Sequence, residues 1–406
     1  MKKIRTNNKN WQIRVPYFEK PKDDEQLPQI IRLIHYLNAK YEFRKNTVSQ
    51  LTEVKWKVDN AWREISDTAI SSILIEANAN NLGISKLTIE NIISSGYINE
   101  YDPFKDYFES LPAWDGRDYI EQLSETIKSE NQDLWKIYLK KWLVSMVRCA
   151  IYKGVTNQQM LVFYGDQGLG KTRWILKLLP DKLKPYFFMG YTNMEDQVFA
   201  LKLSRNILIF LDELDSYKSN KQAIIKSTIT QEKIKVRPLF NTYDIEVDRR
   251  ASFIAAINQE AFLHDLTGSR RFLVVSCLEI NHSHNVDMDK LFTQVYHLAK
   301  DKKFTHFFSK EEIKLIEEIN ERHRVKPQIE EVIEKYIEPA NETDENTCIY
   351  SSGEIIAILY DKKKIKNKPS SNVLGEILKR KGFKRVSKNS GNDKRYGYLL
   401  KIKNLN

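Results

Sequence analysis

Four short apolar runs order the middle of this chain: Met160-Leu161-Val162-Phe163-Tyr164, Ile207-Leu208-Ile209-Phe210-Leu211, Ala251-Ser252-Phe253-Ile254-Ala255-Ala256-Ile257 and Leu273-Val274-Val275-Ser276-Cys277. Odd and even positions are both largely apolar, which fits strands covered on two faces, as in a parallel sheet, rather than strands with one wet face. Residues 119–152 and Arg173 to Leu179 read as helical on either side of the first run. This interleaving of strand and helix predicts an α/β core. Upstream, Gln29 to Leu37 and the set Ile70, Ile73, Leu74 and Ala77 follow helical spacing, so residues 1–118 read as a mostly helical N-terminal domain. Downstream, Glu311 to Glu338 alternates acids and bases on a helix, and Pro339-Ala340-Asn341-Glu342 reads as a linker. The expected division is 1–118, 119–340 and 341–406.

Each run is flanked by residues with chemical potential. The first leads into Gly165-Asp166-Gln167-Gly168-Leu169-Gly170-Lys171-Thr172, which fits G-x-x-x-x-G-K-[ST] between a strand and a helix. In such a loop the backbone N–H groups of 165–170 wrap phosphates, Lys171 reaches the outer ones and the Thr172 hydroxyl ligates Mg²⁺. Arg173 opens the helix beside them. ATP and Mg²⁺ are therefore the expected cofactors. The second run ends in Asp212-Glu213 at the strand tip, where ligands of open α/β sheets bind. Asp212 suits the metal or its water shell, and Glu213 suits orienting and deprotonating the attacking water. The third run ends in Asn258, and Gly268-Ser269-Arg270-Arg271-Phe272 precedes the fourth. Paired arginines there are either surface charge or the guanidinium that stabilises phosphoryl transfer, supplied in cis or by a neighbouring subunit.

These motifs, all between Gly165 and Phe272, resemble those of superfamily 3 helicases, and within them the virulence-associated E family of AAA+ proteins from bacterial mobile elements. Two other stretches resemble family signatures. One is Asp102-Pro103-Phe104-Lys105-Asp106-Tyr107-Phe108 with Leu111-Pro112-Ala113-Trp114-Asp115-Gly116-Arg117; the other is Val236-Arg237-Pro238-Leu239-Phe240 with Asp248-Arg249-Arg250-Ala251-Ser252-Phe253. The resemblance spans residues 50 to 300. It implies an AAA+ P-loop ATPase core, Asn258 contacting the water or γ-phosphate, a helical collar, and hydrolysis between subunits of a ring, expected to be hexameric. It also implies a hairpin that tracks single-stranded or forked DNA. Lys233, Lys235, Arg237, Asn241 and Tyr243 occupy that span, where the alternative is a solvated surface hairpin. Larger relatives carry a primase module upstream; no room or motif for one is visible here, so priming is not expected of this chain, and a separate primase stays open as a partner.

The net charge of +11 is uneven: Asp361 to Asn406 holds 15 Lys and Arg against 3 acids, a surplus of +12, and the remainder sums to about −1. Inside that tail Gly353 to Tyr360 and Val373, Leu374, Ile377, Leu378 predict two helices. Phe383-Lys384-Arg385-Val386 and Tyr396 to Ile402 predict a hairpin around Asn389 to Asp393. The pattern is winged-helix-like, with Lys384, Arg385, Lys394 and Arg395 as DNA contacts; the alternatives are a protein-docking version of the same shape and a disordered basic tail. Cys149, Cys277 and Cys348 show neither disulfide nor zinc spacing, and His282-Ser283-His284 lacks a third ligand. The basic start, Met1 to Asn8, has no apolar core behind it, and no run approaches membrane-spanning length, so a cytoplasmic location is expected. The combined expectation is an ATP-dependent DNA helicase or replication-initiation ATPase. The rival is a DNA-binding ATPase that assembles or interferes without unwinding.

Overall fold

The computed structural model describes residues 11–17, 27–59, 61–190, 197–217, 219–237, 243–264, 268–341, 347–362, 364–366, 368–390 and 393–403; residues 197, 219, 388–390 and 393–395 are described by their backbone only. The basic start and Pro238 to Asn241 lie outside these residues. The chain divides into two compact units, 1–322 and 323–406. No helix among the described residues is long and apolar enough to cross a membrane.

The first unit opens with α1 (Gln29–Lys40), β1 (Tyr41–Asn46), β2 (Thr52–Trp56), β3 (Arg63–Glu64), α2 (Asp67–Ala79), α3 (Lys86–Ser94), β4 (Glu100–Tyr101) and α4 (Pro103–Ser110). The expected helices are there, with Ser66, Ser85 and Asp102 accepting N–H bonds at the starts of α2, α3 and α4. They are not the whole of it: a four-stranded sheet, in the order β3-β2-β1-β4, packs against them. Leu33, Leu37, Phe43, Val54, Ile70, Ile73 and Ile89 form its core. Trp56 meets Tyr41 edge to face at 5.9 Å, and Trp62 meets Trp11 at 5.9 Å around the Arg44 guanidinium. Both tryptophans are thus spent on packing.

The chain continues through α5 (Tyr119–Ser124), β5 (Ile127–Ser129), α6 (Gln132–Ile151), β6 (Met160–Tyr164), α7 (Lys171–Leu176), β7 (Phe187–Met189), α8 (Gln197–Arg205), β8 (Leu208–Leu211), α9 (Ser219–Thr230), β9 (Lys233–Val236), β10 (Ile245–Asp248), β11 (Ser252–Ile257), β12 (Phe272–Ile280), α10 (Met288–Lys300) and α11 (Lys310–Arg322). The four apolar runs supply the middle of one sheet ordered β5-β12-β6-β11-β8-β7, parallel except for β5. Alternate residues face opposite cores. Leu161, Phe163, Phe210, Ile254 and Leu273 join Trp135, Trp142 and Trp174 on one side, while Val162, Ile209, Leu211, Phe253 and Val274 join Phe199, Ile225 and Ile229 on the other. The two-sided apolar pattern is the direct record of this double burial.

The second unit holds α12 (Gln328–Tyr336), β13 (Ile337–Pro339), β14 (Cys348–Tyr350), α13 (Ser352–Asp361), α14 (Ser371–Arg380), β15 (Arg385–Ser390) and β16 (Asp393–Ile402). Ser351 and Glu354 form a reciprocal capping box on α13. β16 pairs antiparallel with β13, β14 and β15, and Ile333, Ile355, Leu359, Leu374, Leu378 and Leu400 fill the core. Glu330 is 1% exposed and receives Arg324 and Arg380, so its carboxyl stays below the usual range despite burial.

Candidate nucleotide site

Loop 165–170 leaves β6 at its C-terminal end and turns directly into α7. Two glycines are required there. A Cβ on Gly165 would lie 2.7 Å from the carbonyl oxygen of Cys277, and Gly170 has φ +96° with a virtual Cβ 2.6 Å from His282 Cδ2. The loop therefore closes against β12 and the segment after it. Lys171 is only 6% exposed, and its Nζ donates to the carbonyls of Gly165 at 2.6 Å and Asp166 at 2.8 Å and to Asn258 Oδ1 at 2.9 Å. Burial draws its pKa below the ordinary lysine value, while Cys277 and the carboxylates of Asp166, Asp212 and Asp215 pull the other way.

β8 and β11 run parallel side by side, with Leu211 level with Ala255, so Asp212, Glu213 and Asn258 leave the same sheet edge. A cavity of about 350 Å³ is lined by 167–173, Asp212, Glu213, Ala256 and Asn258. Sequence-predicted groups from three separated segments thus converge on one space. Glu213 is exposed and adopts φ +54°, a left-handed conformation that bulky residues seldom hold without a reason. Thr172 is half-buried and Arg173 exposed beside it. Among the described residues, no group of three His, Cys, Asp or Glu side chains gathers to form a metal site. His284 instead packs beside Trp174 at 6.2 Å, where burial lowers its pKa.

The arginines are elsewhere. Phe272 is level with Met160, the first residue of β6, whereas the loop follows Tyr164, the last. Arg270 and Arg271 therefore stand at the opposite edge of the sheet from their own chain's loop. Arg270 is exposed and Arg271 half-buried, and α11 fixes the turn through Asn320, whose Nδ2 donates to the carbonyls of Ser269 at 2.8 Å and Phe272 at 3.0 Å.

The expected hairpin exists as β9 and β10, and Lys233, Lys235, Arg237 and Tyr243 are exposed on it. Two of its cations are paired, however. Lys233 pairs with Glu246 at 2.9 Å, Arg237 with Asp244 at 2.8 Å, and Lys235 stands opposite Glu246 in register. Asn241 lies outside the described residues, as do the side chains of Lys394 and Arg395; Lys384 and Arg385 are exposed.

Three contributors escaped the sequence reading as working parts. Asp215 Oδ2 accepts the backbone N–H groups of Asn258 and Gln259, both at 2.9 Å. Arg249 is fully buried at the hairpin root, where it donates to the carbonyls of Gln231 at 2.8 Å, Ile229 at 2.7 Å and Asn157 at 3.0 Å, and also to that of Ala251. Arg250 donates to Asp102 at 2.7 Å and to the Ala150 carbonyl at 2.9 Å, joining two segments quoted above only for their pattern.

Comparison with known proteins adds the following. The sequence profile of the Virulence-associated protein E-like domain matches residues 108–325. Among solved structures, the apo structure of the NrS-1 C-terminal region (305–718) aligns over 93% of this chain and 100% of that one, at 12% identity and a TM-score of 0.49. The A form apo structure of the same region aligns over 93% and 99%, at 13% identity and a TM-score of 0.49. No curated protein matches.

Proposed function

We propose, because this chain belongs to the virulence-associated protein E-like family and gathers a phosphate loop, two acids and an amide on one cavity, that it is an ATP-hydrolysing machine acting on DNA. The observation that carries this reading is the convergence itself: Lys171, Asp212, Glu213 and Asn258 come from three separate strand ends and line the same space. The sheet order and its parallel sense support an AAA+ P-loop core, and two helices followed by the β15–β16 hairpin support a winged-helix-like second unit.

The residues present fit a magnesium-bound nucleotide triphosphate. The loop is shaped by glycines that exclude a Cβ, and Lys171 carries a desolvated charge held on neutral carbonyls and an amide that phosphate oxygens can replace. Loop amides from 165–170, with Thr172 and Arg173 beside them, bind the phosphates, and Lys171 neutralises the outer ones. Thr172 and Asp212 are the residues that would hold Mg²⁺, which when bound offsets charge on the transferring phosphoryl group. Glu213 Oε takes a proton from the attacking water, and Asn258 orients that water or the γ-phosphate. Arg270 or Arg271 stabilises the transition state of a neighbouring protomer. Their position at the far sheet edge supports this division of labour and a ring-shaped homo-oligomer.

The pairing of Lys233 and Arg237 on the hairpin favours a second reading, in which the ATPase binds DNA without tracking along it. Phosphate release with and without single-stranded DNA, native mass, and strand displacement together decide. ATP-dependent displacement establishes a motor; DNA-stimulated hydrolysis without displacement establishes the second reading. A Lys171→Ala variant that binds nucleotide as well as the wild type removes both.

A further inference from the structure

We infer that Asp215 is a positioning residue that holds Asn258 in register with Lys171 and so fixes the two central strand ends of the nucleotide site as one unit. The inference rests on the ATPase reading above. It begins with the turn after β8. Backbone bonds from Ser216 N–H to the Glu213 carbonyl at 2.9 Å and from Tyr217 N–H to the Leu214 carbonyl at 3.1 Å wind residues 213–217 into a tight helical turn. That turn starts at Glu213 in its left-handed conformation and aims the Asp215 carboxylate across to the end of β11.

One carboxylate oxygen, Oδ2, then accepts two successive N–H groups, those of Asn258 and Gln259. Two donors converging on one anionic acceptor fix the peptide planes on both sides of Asn258. The side chain that departs from this fixed backbone places Oδ1 2.9 Å from Lys171 Nζ. The chain of contacts therefore runs from the general-base turn through Asp215 and the Asn258 backbone to the Asn258 amide and Lys171. Without Asp215, strand pairing still holds Ala255 against Leu211 and Ala256 and Ile257 against Phe163 and Tyr164, but nothing in this chain of contacts fixes the Asn258 backbone beyond them. The Asn258 amide then samples positions that no longer match the water or the phosphate. An error of this size at a reacting centre lowers turnover by about 10- to 100-fold while leaving binding by the loop intact.

The test uses the full chain and measures steady-state hydrolysis, nucleotide affinity by titration and Mg²⁺ dependence for the wild type, Asp215→Ala, Asp215→Asn, Asn258→Ala and the Asp215→Ala/Asn258→Ala pair. The expected result is a kcat loss of about 10- to 100-fold for Asp215→Ala, with nucleotide affinity and half-maximal Mg²⁺ unchanged within about 3-fold. Asp215→Asn retains one acceptor oxygen and recovers most of the loss. The double variant is no slower than Asn258→Ala alone, because the two residues act in series. Losses that multiply in the double variant, an isosteric asparagine as slow as the alanine, or a Mg²⁺ requirement raised tenfold each overturn the inference, the last by making Asp215 a metal ligand. A wild type that neither binds nor hydrolyses nucleotide overturns the ATPase reading and this inference with it. Wild-type turnover combined with any of the three contrary outcomes overturns this inference alone.

Discussion

Mixing two inactive variants tests the division of the catalytic site between protomers, with a recovery that can be calculated. β6 and β12 are in register from Met160–Phe272 to Tyr164–Ser276. At about 3.3 Å per residue, those four steps put Arg270 and Arg271 more than roughly 13 Å from the start of their own loop, measured along the sheet. A side chain anchored at that edge, on a turn whose backbone Asn320 holds, does not reach phosphates at the other. If each site combines one protomer's loop with its neighbour's arginine, Arg270→Ala/Arg271→Ala protein and Lys171→Ala protein each contain no complete site, and each loses on the order of 10³-fold or more in turnover. In an equal mixture that assembles at random, half the protomers supply an intact loop and half of those meet an intact arginine neighbour. About one quarter of wild-type activity per protomer should therefore return in a cyclic head-to-tail assembly. Phosphate release at fixed total protein, with co-assembly verified by native mass, measures it. Mixed assemblies as inactive as their parents would refute the between-subunit arrangement, and so would an arginine double variant with near-normal activity on its own.

Four other outcomes are expected. Glu213→Gln should bind ATP normally and hydrolyse it at least about 100-fold more slowly, and near-normal single-turnover release would assign the water to another group. His306 is 6% exposed, and burial followed by Arg148 and Lys141 lowers its pKa from 6.5 to about 4, so the unfolded chain alone takes up its proton between those values. Stability from this group is complete above pH 6.5 and falls as pH drops, by about 2 kcal/mol at pH 5; denaturation curves should lose that slope in His306→Phe, and an unchanged slope would contradict the assignment. Cys348 is exposed whereas Cys149 and Cys277 are buried, the Cys277 thiol pushed up to about 12, so a thiol titration of native protein should register one fast cysteine, and three fast ones would contradict the packing. Lys384→Ala and Arg385→Ala should each reduce the slope of log K against log salt for DNA by about 0.7 to 0.9, and unchanged slopes would direct the second unit to a protein partner.

The glycine-rich loop between β6 and α7 was legible because its geometry is local: glycine spacing, one lysine and one threonine between a buried strand and a helix specify it without knowledge of the rest. Asp212 and Asn258 were legible because double burial writes uninterrupted apolar runs whose ends are easy to see. The sheet β1–β4 was not. Lys40 passes into Tyr41 with no breaker between helix and strand, and the core residues Tyr41, Phe43 and Val54 alternate with Glu42, Arg44 and Lys55, of which Lys55 and Glu42 pair across the strands at 2.7 Å. Asp215 and Arg249 were hidden for another reason: both act on backbone groups, which every sequence has. The arginine edge emerged only with strand register, since Arg270 precedes an apolar run much as the loop follows one.

The bond between Asp102 and Arg250 bears on where the protein can be cut. The matched family segment begins at residue 108, inside α4 and beyond Asp102. A recombinant piece started there would discard the helix cap, the buried Phe104 that meets Tyr186 at 5.0 Å, and the carboxylate that neutralises a guanidinium with only 12% of its side chain exposed. A piece that keeps these contacts is therefore longer than the matched segment, and a nested truncation series should lose soluble expression before its start reaches residue 108.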